Sequence, residues 1–168
     1  MATAECNWTN VGNNFSIRPA FNYTVNNSGT VTITNLHVQM YRSSYVSASN
    51  WKWGVYCYNN NLRCPEGSGD YTHTSTITIS SSGGSADLNN GGSYPSRCTF
   101  TIPADKVGWK SGKAILKFTG YFKITLNSTG TVNARCEGIE YEIQANPLSC
   151  SVTAATSWSP TYNYSSSE

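Results

Sequence analysis

Few side chains in this sequence have the types and spacing that catalysis requires. Its imidazoles are His37 and His73, and serine is so abundant that a serine near either of them carries no information. Nucleophilic and acid–base catalysis need a base within hydrogen-bond reach of its partner. The sequence also lacks a Gly-x-Ser-x-Gly elbow and a glycine-rich phosphate loop that precedes a helix. We therefore predict neither catalytic residues nor a cofactor.

Three glutamates late in the chain, Glu137, Glu140 and Glu142, form a cluster of carboxylates. Glycoside hydrolysis uses a pair of carboxylates, and Glu140 and Glu142 would lie roughly 7 Å apart on one face of a strand. The three residues also fit the solvent-exposed face of a strand whose other face is apolar, and we favour this interpretation. The other carboxylates are scattered, with no Asp-x-Asp run, so we predict no metal site.

Aromatic side chains are abundant: five Trp, eleven Tyr and five Phe. Aromatic rings stack on the C–H faces of sugars, and a few polar groups then orient such a ligand. The stretch from Asn50 to Pro65 concentrates these residue types. If it is a strand, alternation directs one set of its side chains to the core, Trp51, Trp53, Val55 and Cys57. The other set faces outward, Lys52, Gly54, Tyr56 and Tyr58.

The outward side chains of this stretch are our candidate ligand-binding residues. An Asn-rich loop follows them, and a second outward tyrosine occurs later between two lysines. Surface tyrosines are also ordinary on β-sheets, because they fit the pleat well. The predicted ligand-binding residues are Lys52, Tyr56, Tyr58, Asn59, Asn60, Asn61 and Tyr121.

Six cysteines occur in the chain, an even count without a Cys-x-x-Cys pair, which favours disulfides over a metal site. Six cysteines allow fifteen pairings. We expect the local pair Cys57–Cys64, since a hairpin tip would bring the two together. Weaker expectations are Cys6–Cys150, which would tie the ends, and Cys98–Cys136. Disulfides predict an oxidising compartment, so the protein would be extracellular or at the cell surface. The alternative is a reducing compartment with six free thiols.

Charge and hydropathy exclude two classes of partner. Charged residues are 12% of the chain and the net charge is +2, whereas nucleic-acid binding draws on clustered Lys and Arg. No apolar run approaches the roughly 20 residues that span a bilayer. No apolar signal segment follows Met1, so we expect the sequence of a mature domain to which an initiator Met was added for expression.

Period-two alternation of apolar residues recurs along the chain and predicts eight or so short strands. The apolar positions change parity inside two of these strands, which predicts β-bulges near Thr34–Asn35 and Gly138. Gly120, within the clearest strand, predicts a bulge or a close backbone approach. Pro19 predicts an edge or a break in its strand, because proline cannot donate to a sheet ladder.

Strands with frequent Gly and Asn turns, and no amphipathic helix, predict an all-β fold. We expect a single-domain antiparallel β-sandwich of jelly-roll-like form, stabilised by disulfides. The domain would span residues 1–155 and end with a strand through residues 148–152. A Ser- and Tyr-rich tail or linker would follow from 156 to 168. We also expect a long loop from Ser81 to Ser93, which has almost nothing to bury, and a short helical turn between Ala104 and Lys113.

The Asn-, Thr- and Tyr-rich β character resembles that of bacterial carbohydrate-binding modules and fimbrial adhesin domains as a class, and no motif carries residues across. Our leading expectation is an extracellular, non-catalytic module that recognises a glycan or polysaccharide through surface aromatics. One alternative is a structural or adhesive subunit of a pilus- or fibre-like assembly that polymerises by strand or tail exchange. A glycoside-active enzyme is the third hypothesis. Self-association or attachment to a larger modular protein is compatible with each.

Overall fold

Strands make up nearly all of the regular structure of this protein. The computed structural model describes residues 1–67, 70–127 and 130–144. These residues contain 3₁₀ turns at Ser96–Cys98 and Ala104–Lys106 and the following strands: β1 (Ala2–Glu5), β2 (Thr9–Gly12), β3 (Phe15–Val25), β4 (Val31–Arg42), β5 (Val46–Asn59), β6 (Leu62–Cys64), β7 (Tyr71–Ile79), β8 (Gly84–Asp87), β9 (Phe100–Ile102), β10 (Gly108–Lys110), β11 (Lys113–Leu126) and β12 (Gly130–Glu142).

The strands form two antiparallel sheets. In the first sheet β3 pairs with β4, while β1 and β2 lie along the outer edge of β3 and β8 and β9 along that of β4. In the second sheet β5 pairs with β11, and β11 with β12. The strands β6 and β7 lie along the other edge of β5, and β10 pairs with the start of β11. The predicted all-β antiparallel fold is therefore confirmed, in the arrangement of a β-sandwich.

Aromatic rings from both sheets meet in the core between them. Phe21 of β3 and Phe118 of β11 have ring centroids 4.6 Å apart, and Phe15 meets Phe122 edge-on at 5.9 Å. All four rings are buried. Such contacts between the inner faces of two sheets are what hold a sandwich together.

The two tryptophans of β5 lie in this core, as alternation predicts, with Trp51 2% and Trp53 0% exposed. Buried indole N–H groups need acceptors. Trp53 donates to Nε2 of His73 at 2.9 Å, and Trp51 donates to the carbonyl oxygen of Leu88 at 2.9 Å. The imidazole of His73 also stacks on the Trp51 ring at 5.1 Å. These contacts give His73 a structural role.

Both predicted bulges are present. The β3–β4 register shifts opposite Asn35, whose φ of 54° lies in the left-handed region. The shift keeps all five apolar side chains of β4 in the core, although they change parity. In β12, Glu137 and Gly138 lie opposite a single β11 residue, and Gly138 has a φ of 63°.

Gly120 of β11 lies where the two sheets approach closely. A Cβ atom at this position would lie 3.3 Å from Cγ2 of Val38 and 3.6 Å from Cγ of Pro19. The predicted close approach is confirmed. Pro19 itself lies in β3 between the residues that face β1 and those that face β2, so its missing N–H coincides with a gap in the edge pairing.

The loop predicted for Ser81–Ser93 is wrong in part, because β8 forms within it and pairs with β4. Gly and Ser give this strand no apolar alternation. Its ladder hydrogen bonds and its neighbour Leu88, which is fully buried, hold it in place. The short helical turn expected after Ala104 is present as a 3₁₀ turn.

No disulfide is present among the described residues, so the predicted disulfide stabilisation is not supported. Cys6, Cys57, Cys64, Cys98 and Cys136 are free and buried. Burial raises the pKa of the Cys6 thiol to about 12. Buried thiols of this kind pack as small apolar side chains.

Two of the expected pairings can be compared with the structure directly. Cys57 and Cys64 lie opposite each other on β5 and β6, as expected, but the Cys57 thiol donates to Oδ1 of Asn59 at 3.1 Å. The Cys98 thiol donates to the hydroxyl oxygen of Tyr71 at 3.4 Å and forms no bond to Cys136.

Some expectations fall on parts of the chain outside the described residues. These are the final strand through residues 148–152, the tail at 156–168, and the Cys6–Cys150 pairing. Within the part that the structure describes, no helix is long and apolar enough to cross a bilayer.

Replacing Trp53 with Ala should lower the free energy of unfolding by about 3 to 5 kcal/mol, because it removes a fully buried aromatic ring and the hydrogen bond that the indole donates to His73. Chemical denaturation monitored by circular dichroism measures this change. The matched control is Tyr45→Ala. Tyr45 is 57% exposed, so its replacement should lower the free energy of unfolding by less than about 1 kcal/mol. Equal effects of the two substitutions would contradict the assignment of Trp53 to the core.

Candidate ligand-binding groove

Two adjoining cavities form a groove on the outer face of the second sheet. The larger, here called the turn cavity, has a volume of about 590 Å³ and lies beside the turn that joins β5 to β6. The smaller, the sheet cavity, has a volume of about 300 Å³ and lies over the end of β5 and the middle of β11. Tyr58 and Lys117 line both cavities, so one ligand could contact both.

Two tight turns shape the turn cavity. Asn60 and Asn61, which join β5 to β6, have φ values of 47° and 66°. Ser111 and Gly112, which join β10 to β11, have φ values of 52° and 79°. Positive φ at both central residues is the type I′ geometry, which suits two-residue hairpins and favours Asn and Gly. The Asn-rich sequence therefore forms a turn rather than an open loop.

Asn59 connects the β5 hairpin to β11 and is 5% exposed. Its Nδ2 donates to the carbonyl oxygen of Ile115 at 3.1 Å, and its Oδ1 accepts from the backbone N–H of Lys117 at 3.1 Å. Both ends of the amide are thus bonded to the β11 backbone. Asn59 is therefore a structural residue rather than a ligand contact, and it positions Lys117.

Two exposed aromatic side chains stand at the turn cavity. Tyr58 is 49% exposed and donates to Oδ1 of Asn61 at a long 3.4 Å. Trp109 of β10 is 71% exposed. Sequence reasoning missed Trp109, because a three-residue strand shows no periodicity. The Ser111-Gly112 dipeptide is a turn signal that could have revealed the hairpin presenting it.

The sheet cavity has a half-buried tyrosine and two arginines around it. The guanidinium carbon of Arg63 lies 3.8 Å from the ring centroid of Tyr56. Arg135 donates to the Tyr56 hydroxyl oxygen at 3.3 Å and forms an ion pair with Glu137 at 2.8 Å. Arg63 thus covers the ring of Tyr56 and Arg135 holds its hydroxyl group, and Tyr56 lines the cavity together with Tyr58 and Lys117.

The other two predicted residues, Lys52 and Tyr121, lie farther along the same face, at a third depression of about 350 Å³. The Tyr121 ring crosses Gly54, where an added Cβ would collide with the hydroxyl group. Tyr121 donates to Oδ1 of Asp70 at 2.6 Å, and Lys52 forms an ion pair with Oδ2 at 2.9 Å. The polar groups of both residues thus contact Asp70.

Hydrogen bonding and burial shift the pKa values of Asp70 and Tyr121. The Tyr121 hydroxyl, and then Lys52, lower the pKa of the Asp70 carboxyl, because both interactions favour the ionised form. Burial, and then the bond to Asp70, raise the pKa of Tyr121 to about 12. At neutral pH the trio is a carboxylate bound by one neutral and one cationic donor.

Each of the three clustered glutamates forms an ion pair with a neighbouring cation. Within the described ranges no group of three or more His, Cys, Asp and Glu side chains could hold a metal ion. Surface ion pairs of this kind contribute up to about 1 kcal/mol. The pairs are Arg135–Glu137 at 2.8 Å, Lys110–Glu140 at 2.9 Å and Lys113–Glu142 at 3.4 Å.

Comparison with known proteins gives no relative. The chain matches no protein-family model, and neither the curated proteins nor the solved structures searched give a significant match.

Replacing Tyr121 with Phe should raise the pKa of Asp70 towards its ordinary value, because it removes the strongest of the interactions that lower it. A depressed carboxyl pKa adds stability at pH above its ordinary value, and this stability is lost as the pH falls through the folded-state value. The variant should therefore lose less stability on acidification. NMR titration of the Asp70 carboxyl carbon measures the shift, and an unchanged Asp70 pKa would contradict the assigned bond. Tyr45→Phe is the control.

Proposed function

We propose that this protein is a non-catalytic glycan-binding module whose site is the groove on the second sheet. The observation that carries this proposal is the position of Tyr58 and Trp109, two largely exposed aromatic rings that line one cavity. Exposed aromatic rings that share one cavity indicate a binding surface, whereas rings exposed singly do not. Sugars offer the matching surface, since the C–H groups of a pyranose face stack on aromatic rings.

Polar groups around the two rings suit the hydroxyl groups of a sugar. The turn cavity is lined by the side chains of Asn60, Asn61 and Lys117 and by the Lys110–Glu140 ion pair. These groups supply donors and acceptors at the rim of an aromatic site. Its volume of about 590 Å³ is within the range of roughly 300–1,000 Å³ usual for small-ligand sites. Because the clustered glutamates are ion-paired with neighbouring cations, we propose glycan binding rather than glycoside hydrolysis.

A second candidate function is that of a subunit in a surface assembly. The strand β12 spans Gly130–Glu142 and pairs with β11, and no second neighbour pairs with it among the residues described. A long edge strand offers unpaired backbone groups to another chain. This candidate requires self-association, which the glycan-binding proposal does not.

An extracellular or cell-surface location forms part of the proposal, together with a Cys57–Cys64 disulfide formed on oxidation. Residues opposite each other on antiparallel strands have Cα atoms about 4.5 to 5.5 Å apart, within the roughly 4.4 to 6.8 Å of disulfides. The Cys57 thiol would exchange its bond to Asn59 for the bond to Cys64. The disulfide would close the hairpin that carries Tyr58.

Tyr58→Ala and Trp109→Ala should each weaken glycan binding at least about fivefold, since a stacked ring contributes about 1 kcal/mol. A panel of neutral and acidic polysaccharides, followed by tryptophan fluorescence, identifies the ligand, and calorimetry then gives the affinities. Tyr45→Ala, an exposed tyrosine outside the groove, is the matched control and should bind like the parent protein.

No binding to any polysaccharide in the panel would refute the glycan proposal. Light scattering on the same samples tests the second candidate, which requires the apparent mass to grow with protein concentration.

Protein produced through an oxidising compartment should contain the Cys57–Cys64 disulfide. Thiol alkylation followed by mass spectrometry detects it as two unmodified cysteines in one hairpin peptide. Reduction should lower the free energy of unfolding by about 2.5 kcal/mol, from the loop entropy of a short closed segment. A Cys57→Ser/Cys64→Ser variant is the control for effects of reductant elsewhere. Complete alkylation of both residues in protein from that compartment would contradict the proposed bond.

A further inference from the structure

Most cations on the outer face of the second sheet are neutralised by carboxylates. Two cations of the groove, Arg63 and Lys117, have no carboxylate within ion-pair distance among residues 1–67, 70–127 and 130–144. Both line the sheet cavity. The neutralised pairs, with N–O distances of 2.8 to 3.4 Å, are Lys52–Asp70, Lys110–Glu140, Lys113–Glu142 and Arg135–Glu137.

Arg63 is fixed in place but has unused donors. Its guanidinium stacks on the Tyr56 ring at 3.8 Å, and this contact orients the planar group. Its Nε is buried, and the side chain donates no hydrogen bond to any described residue. A guanidinium held over a ring, whose N–H groups have no partner among the described residues, suits the two oxygens of a carboxylate or sulfate group.

Lys117 of β11 and Arg63 of β6 flank the strand that carries Tyr58, which pairs with Arg63 in the β5–β6 register. Asn59 fixes its backbone N–H at 3.1 Å, while its exposed side chain lines both cavities. Glu137 is the carboxylate of the sheet cavity, and Arg135 neutralises it. The sheet cavity therefore carries the uncompensated positive charge of Arg63 and Lys117.

We propose that the groove selects an anionic glycan, whose carboxylate or sulfate group binds Arg63 and Lys117 while a neighbouring sugar stacks on Tyr58 and Trp109. This inference rests on the proposed glycan-binding function and names its substrate class. Charge complementarity in the sheet cavity supplies the selectivity, and the aromatic rings supply contact that neutral and charged sugars share. Uronate-containing and sulfated polysaccharides both have the required chemistry.

Two matched pairs of polysaccharides test the charge requirement. Polygalacturonate and its methyl-esterified form share a backbone and differ in carboxylate charge, and dextran sulfate and dextran differ in sulfate. We expect at least tenfold tighter binding to one charged form than to its neutral counterpart. This preference should decrease as sodium chloride is raised from 50 to 500 mM, because salt screens exposed charges. The pair that shows the preference identifies the anionic group.

Variants locate the charge in the groove. Arg63→Gln and Lys117→Gln should each reduce binding to the charged polysaccharide at least fivefold and change binding to the neutral form less than twofold. The control Lys123→Gln removes an exposed cation of the same sheet that lines neither cavity of the groove, and should leave the preference unchanged. Lys117 is exposed, so its variant tests the proposal even if Arg63→Gln disturbs folding.

The outcomes separate this inference from the function on which it rests. Equal binding of charged and neutral forms would overturn the charge requirement and leave glycan binding intact. A preference that persists in both the Arg63 and Lys117 variants would also overturn it. A single-stranded DNA oligomer that competes as well as the charged polysaccharide would overturn glycan selectivity. Failure of all four polysaccharides, together with the wider panel, would refute the proposed function itself.

Discussion

Alternation along β5 links the core of this protein to its surface groove. Burial of Trp51 and Trp53 requires one register of the strand, and in that register Tyr56 and Tyr58 must face outward. A slip of one residue would expose both indoles and bury both phenols. The hydrophobic core therefore determines which aromatic rings are available to a ligand, and the indole bonds to His73 and Leu88 reinforce this choice.

Asn59 is the last residue of β5 and is buried, although its side chain is polar. Like Cys57, it faces the inner side of the sheet. Burying an amide is costly unless both of its ends have hydrogen-bond partners. The β11 backbone provides these partners at Ile115 and Lys117. The amide thus joins β5 to β11 beyond the last apolar contact of the strand. It holds the hairpin of Tyr58 at a fixed position relative to Lys117.

Much of the fold followed from local pattern, whereas the groove followed only in part. Parity placed the β5 tryptophans in the core and the bulges at Asn35 and Gly138, because each depends on the residues next to it. No local pattern predicts the orientation of Trp109, because it depends on how the β10–β11 hairpin packs beside the β5–β6 hairpin. Similarly, Tyr121 faces outward as predicted, but its bond to Asp70, 51 residues away, depends on tertiary structure. Pattern also placed Cys57 opposite Cys64 without determining their redox state.

The type I′ turns beside the turn cavity restrict how the binding site could evolve. Each joins its strands with only two residues, both in left-handed conformations that few side chains tolerate, so neither turn is a loop that could lengthen or swing. Such a surface is preorganised, so little conformational entropy is lost when a ligand binds. New specificities would have to arise by exchange of side chains on rigid strands, rather than by the insertions through which loop-built sites diversify.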